Sequence, residues 1–316
     1  MKEKLNSVGP GFCLAKWTQA TIHLGVGLTH SCHHTKVHHI DPEKIKTDPS
    51  ALHNTDEKID HRNAMKSGHR LPDCNYCWTV EDANAGVSDR ITKSSAPWST
   101  VDYDNIVNNT WQNNVNHPRS LEVSFSNVCN FACAYCGPTF SSKWWEEIKQ
   151  QGPYKVSKIS YNNLSVEQIP NKDHNPYIEA FWKWFPDIVD NLLEFRITGG
   201  EPLLSKHTFL VLDMIAKGQY KSLDLGINTN GNPTEGLWTK FIKHCKDIET
   251  NNSVKKLTVY ASAETVGADA EYIRDGMNWN EFKSNIEQLL DQTEKDRKST
   301  RLNSSHSQQS RMPSSA

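Results

Sequence analysis

The chain has 316 residues, 36% hydrophobic and 23% charged, which is the texture of a globular protein of one or two domains. Its formal net charge of −2 gives no electrostatic footprint for nucleic acid. No apolar run is long enough to cross a bilayer, and no charged start followed by an apolar stretch marks secretion, so the expected location is the cytoplasm. There, eight cysteines point to metal or redox chemistry rather than to disulfides.

In chain order, residues 1–82 form a first unit. Segments 18–24 and 28–32 flank Gly25-Val26-Gly27 and predict a β-hairpin. Residues 41–51 are polar and predict loop or short helix. Residues 55–66 predict a helix capped by Thr55 and stopped at Gly68. Cys74-Asn75-Tyr76-Cys77 then forms a tight knuckle. Nine of the fourteen histidines lie in this unit, and His30, His33, His34, His38 and His39 crowd around Cys32. They offer imidazole ligands or solvated, hydrogen-bonding groups; four nearby cysteines favour the second role. Residues 83–118, polar and rich in Asn and Ser, read as a linker.

From Ser120 the rhythm changes to strands alternating with helices. Strands are predicted at 121–126, 193–198, 223–228 and 257–261, with helices at 142–150, 177–191, 206–217, 236–245 and 279–292. This is the pattern of an α/β protein whose parallel sheet curves towards a barrel through right-handed crossovers. The stretch 151–176 fits neither period and reads as an insertion. From Asp296 the chain is serine-rich and aperiodic, and its halves resemble translated sequencing adaptor, so 296–316 is expected to be a scar outside the fold. Without it the count is 31 basic against 36 acidic residues, still further from a nucleic-acid binder.

The chemistry gathers at strand ends. After the first βα strand come Cys129, Cys133 and Cys136 in a CxxxCxxC loop. A 4Fe–4S cluster normally takes four cysteines, so three leave one iron open to a ligand. Zinc is the rival, although its structural sites are closed by a fourth ligand that this loop lacks. After the next strand comes Thr198-Gly199-Gly200-Glu201-Pro202. Paired glycines let backbone approach a ligand closely, and a glutamate accepts from an ammonium group; a plain tight turn is the bland alternative. Cys13, Cys32, Cys74 and Cys77 have the spacing of a CxxC knuckle with two distant partners, which suits zinc or an iron–sulfur cluster. Cys245 stands alone in a helix and reads as a packed thiol.

The pair CxxxCxxC and GGEP on successive strands resembles the radical S-adenosylmethionine (SAM) superfamily. The resemblance implies a partial (β/α)6 radical SAM barrel over residues 119–295, and a 4Fe–4S cluster on Cys129, Cys133 and Cys136 that chelates SAM. One electron then cleaves SAM to a 5′-deoxyadenosyl radical, which abstracts hydrogen from substrate. By the same resemblance Gly199, Gly200 and Glu201 would meet the SAM amino group, and Tyr135 would lie near the adenine. Asn228 matches the TNG turn, and Ser262 and Glu264 match a Ser-x-Asp segment in which glutamate replaces aspartate. Arg274 matches an Arg-Gly pattern interrupted by Asp275. Residues 12–81 resemble a twitch domain, the small α+β relative of SPASM that binds an auxiliary iron–sulfur cluster, placed here before the barrel.

The expected function is therefore a radical SAM enzyme acting on a peptide or protein, with a flavodoxin- or ferredoxin-like electron donor. The alternatives are a nucleoside, sugar or other small-molecule substrate, or a non-catalytic iron–sulfur or zinc protein. Only four barrel strands can be placed before Asp296, so a barrel cut short, with an uncovered sheet edge, is also expected.

Overall fold

The computed structural model describes residues 1–112, 116–155, 164, 168–170, 173–234, 236–292 and the backbone of 301–303. Its strands are β1 (Gln19–His23), β2 (Leu28–His30), β3 (His38–His39), β4 (Ser120–Ser124) and β5 (Ala132–Cys133). There follow β6 (Glu194–Thr198), β7 (Tyr220–Thr229), β8 (Val254–Ser262), β9 (Arg274–Asp275) and β10 (Arg301–Asn303). Eight of them form one sheet in the order β10-β8-β7-β6-β4-β1-β2-β3, and β5 and β9 pair separately. From β1 through β4, β6, β7 and β8 to β10 every neighbour is parallel. This is a mixed α/β fold with a mostly parallel sheet, as the alternation of periods implies.

Alternating residues explain why these segments are strands and which way they face. On β4, Leu121 and Val123 are buried in the core, as are Phe195 and Ile197 on β6 and Leu225 and Ile227 on β7. Amphipathic helices supply the other half of that core. Pro176–Ile188 buries Phe181, Trp184 and Phe185, Lys206–Lys217 buries Phe209, Val211 and Leu212, and Leu237–Thr250 buries Trp238, Phe241 and Ile242. Cys245 is buried in the last of these, a packed thiol.

The amino-terminal unit is not separate from this sheet. The expected hairpin forms, with Thr21 opposite His30 and Ile22 opposite Thr29. Its first strand then pairs in parallel along the whole of β4, from Gln19↔Ser120 to His23↔Ser124. Thr55 caps the helix Asp56–Lys66 as its side chain accepts from Lys58 N–H. The knuckle becomes a 3-10 turn, Pro72–Cys74, continued by the helix Asn75–Asp82. In place of a linker at 83–118 stand three short helices, Asp89–Ser94, Pro97–Thr100 and Tyr103–Val107. They bury Arg90, Ser94, Trp98 and Ile106, which polar composition concealed. Much of the expected insertion 151–176 lies outside the described residues, as does most of 296–316. Within the latter, Arg301–Asn303 pairs in parallel with Tyr260–Ser262, so three residues set aside as a scar join the sheet edge.

Burial sets the acid response of the amino-terminal half. Desolvation and the nearby Lys58 and Lys16 cations push the His38 imidazole down to about 3. This lies below the unfolded value of about 6.5, so the stability it carries is complete above pH 6.5 and is lost as pH falls towards 3. Replacing it, His38→Gln, is expected to reduce the pH dependence of the unfolding free energy between pH 6 and 4, measured by denaturant titration, by up to ~1.4 kcal/mol per pH unit. An unchanged slope would contradict that assignment.

Candidate metal centres

The loop after β4 is pinned on every side. Cys129 N–H donates to Ser142 Oγ (3.1 Å), Phe131 N–H to Cys129 Sγ (3.4 Å) and Trp144 Nε1–H to Cys133 O (2.8 Å). From the turn after β7, Asn230 Nδ2 donates to Asn130 Oδ1 at 2.8 Å. From β9, Arg274 sits opposite Cys133 in the β5–β9 pair. These contacts turn Cys129, Cys133 and Cys136 into one cavity, which Gly199, Gly200, Asn228, Ser262, Arg274 and Tyr135 also line. The cavity opens at the carboxyl ends of β4, β6, β7 and β8, where parallel α/β sheets bind ligands.

The glycines are dictated by that crowding. Gly199 holds φ at +131°, and a Cβ there would lie 2.7 Å from Ser126 O. At Gly200 a Cβ would meet Val128 O at 2.4 Å and Asn127 O at 2.5 Å. The turn is in turn bonded to the cysteine loop, since Gly200 N–H donates to Ser126 O and Glu201 N–H to Val128 O. Gly200→Ala is therefore expected to cost about 1–3 kcal/mol and to lower iron content; an unshifted melting curve of the iron-loaded protein would refute the packing argument.

Glu201 behaves differently from its expectation. Its carboxylate does not line the cavity. It is buried and accepts from Leu203 N–H, Thr229 Oγ1–H and Asn230 N–H, tying the β6 turn to the β7 turn. Burial raises its pKa to about 7 against the pull of those donors. Glu264 also points elsewhere: it holds Arg274 in a two-point ion pair of 2.6 and 2.7 Å. Arg274 is the member that reaches the site, with Nη1 3.9 Å from Cys133 Sγ and its guanidinium 5.4 Å from the Tyr135 ring centre. Asn228 Oδ1 accepts from Arg196 Nε at 2.9 Å.

Several cavity residues escaped the motif reading. Glu122 and Ser124 on β4, Arg196 and Thr198 on β6, and Thr21 and His23 on β1 all line it. The signal was present: each alternates with a buried apolar residue, and the registers align Thr21, Glu122 and Arg196 as one row and His23, Ser124 and Thr198 as the next. From the hairpin, His30 and His33 line the cavity as well. His30 Nδ1–H donates to Cys32 O at 2.9 Å, which leaves its Nε2 to accept from His23 Nε2–H at 3.3 Å. Burial holds both imidazoles below their ordinary pKa.

Cys13, Cys32, Cys74 and Cys77 come together around a second cavity, shared with Lys16 and His34. His34 stacks on Tyr76 and lies 3.0 Å from Asp89, whereas His38 bonds Thr55 on the far side. The crowd of histidines is thus divided between two sites, the protein interior and, for His39, the exposed surface.

Burial pushes the Cys129, Cys136, Cys74 and Cys77 thiols up to about 12, so none is a nucleophile by itself. Coordination is what turns such thiols into thiolates. Around one zinc ion with Zn–S of ~2.3 Å, tetrahedral sulfurs lie about 3.8 Å apart. Among the described residues, only Glu57, His61 and Asp73 form a group of three or more ligands with all donor atoms within 4.8 Å. Both cysteine sets are wider than a single ion requires, and a multi-iron cluster holds its thiolates further apart. The residues fit iron–sulfur clusters.

No family model and no solved structure matches the chain. Curated relatives do. A GTP 3′,8-cyclase of Campylobacter jejuni subsp. doylei is 32% identical over 112 residues, 35% of this chain and 27% of that protein. The GTP 3′,8-cyclase of Aliarcobacter butzleri is 30% identical over 127 residues, 40% of this chain and 30% of its own length. The match thus spans about three-tenths of the relatives' length. Among the described residues no helix is long and apolar enough to cross a membrane. The comparisons support the radical SAM superfamily for this chain.

Proposed function

We propose that the chain is a radical SAM enzyme acting on a nucleotide or similar small molecule. The observation that carries this reading is the single cavity shared by Cys129, Cys133 and Cys136 with Gly199, Gly200, Asn228, Ser262 and Arg274. The peptide substrate expected from the twitch resemblance gives way here, because the relatives are named for a reaction of GTP. When bound, the cluster and SAM supply reductive cleavage and hydrogen abstraction.

The chain's own residues do the rest. Cys129, Cys133 and Cys136 would hold the cluster, three thiols for a group that normally takes four. Gly199 and Gly200 offer backbone where side chains would collide. Arg274, buried and paired with Glu264, favours thiolate at Cys133 by its charge. Tyr135 lies beneath it as an aromatic surface. Glu122, Arg196, His23 and His30 also line the cavity, polar groups suited to hydrogen-bonding a polar substrate. Cys13, Cys32, Cys74 and Cys77 hold an auxiliary cluster in this reading, and an external one-electron donor completes the system.

The test is anaerobic reconstitution with iron and sulfide, then incubation with SAM and dithionite, with and without GTP. Formation of 5′-deoxyadenosine is expected, stimulated by GTP. Its absence despite iron-loaded protein would overturn the enzyme reading; formation unaffected by GTP would overturn the nucleotide reading.

A further inference from the structure

The amino-terminal cavity holds more positive charge than its carboxylates answer. Its charged lining is Lys16, Lys93, Arg90 and Asp89. Arg90 is paired with Glu81 at 2.7 Å, Asp89 meets His34 at 3.0 Å, and Lys93 donates to Gln19 Oε1 on the cavity's flank. Lys16 is 4% exposed, and its Nζ lies 3.3 Å from His61 Nδ1. Among the described residues no carboxylate comes within ion-pair distance, 4.0 Å, of this ammonium. A buried cation with no direct ion pair is costly, and Glu57 and Asp73, grouped with His61, act on this one only at longer range. Four buried thiols share its cavity.

We infer that Lys16 is the built-in counter-charge of a four-thiolate iron–sulfur cluster on Cys13, Cys32, Cys74 and Cys77, and that it raises the cluster's reduction potential. This rests on the reading of those cysteines as cluster ligands. Four thiolates around an oxidised cubane leave a net double negative charge, and reduction adds one more. A buried ammonium beside them stabilises the reduced state more than the oxidised one, since net charge and burial are what set such potentials. Lys16 acts through the cluster, so it is a positioning and tuning residue rather than a catalytic one.

The experiment uses the full chain with Cys129→Ala, Cys133→Ala and Cys136→Ala, so that only the amino-terminal site can load. After reconstitution, iron and sulfide are counted and the cluster is titrated potentiometrically by electron paramagnetic resonance, with Lys16→Met and Lys16→Arg added in parallel. The expected result is a lower midpoint potential for Lys16→Met and a near-parental one for Lys16→Arg. Loss of loading in Lys16→Met alone would uphold the counter-charge role, since charge rather than length then decides loading. Equal potentials in loaded Lys16→Met and parent overturn the inference, as does equal loss of loading in both variants. A parent that takes up neither iron nor sulfide overturns the cluster reading itself.

Discussion

Cys129→Ala, Cys133→Ala or Cys136→Ala is expected to abolish SAM cleavage, with a loss well beyond the ~10–100-fold seen when only a supporting residue of a metal site is removed. The reason is geometric. Three sulfurs on four irons leave one iron open, and losing one would leave two, while Ser142 and Trp144 are already engaged with backbone of the same loop. Removing one thiol should therefore lower iron and sulfide at this site while the amino-terminal cysteines continue to load. Iron content, the visible charge-transfer band and 5′-deoxyadenosine yield together check this. A variant retaining cleavage within tenfold of the parent would remove that cysteine from the ligand set.

Glu264→Ala should be nearly as damaging, by a different route. Its carboxylate and the Arg274 guanidinium are only 7% and 4% exposed, and they meet through two short contacts. Deleting one member of a buried pair strands the other charge, at about 3–5 kcal/mol. The effect is not confined to stability. Arg274 faces Cys133 Sγ and Tyr135, so a loosened guanidinium removes the charge that favours thiolate there. Lowered melting temperature together with weaker iron retention is the expected pair of readouts. Glu264→Asp keeps the charge and supplies the residue usual in the family the chain resembles, and should recover most of both. Full stability in Glu264→Ala would show that the ion pair is dispensable.

Legibility in the sequence followed locality. Strands β4, β6, β7 and β8 and the hairpin could be read because alternation and turn chemistry are short-range signals. The convergence of Cys13, Cys32, Cys74 and Cys77, and of Cys129 with Gly199, followed from spacing set against strand ends. Three things could not be read that way. The parallel pairing of β1 with β4 joins segments far apart in sequence, so the sheet is continuous where composition alone suggests a boundary. Arg90 and Ser94 look polar yet are buried, because Glu81 and Phe12 O bond the guanidinium. Glu201 sits beside the cysteine loop, but its direction was decided by three donors on neighbouring turns, a choice no motif records.

The β1–β4 pairing also dictates an order of assembly. Its register joins Gln19 to Ser120, closing a loop of about a hundred residues before any hydrogen bond forms. Contacts that distant in sequence slow folding, and during synthesis the hairpin leaves the ribosome long before its partner strand exists. Until then the hairpin's apolar face waits without a sheet. The step that seats β1 on β4 is thus expected to limit the rate at which both metal-binding cavities mature, and lengthening the segment 83–118 should slow that step while leaving the finished sites unchanged.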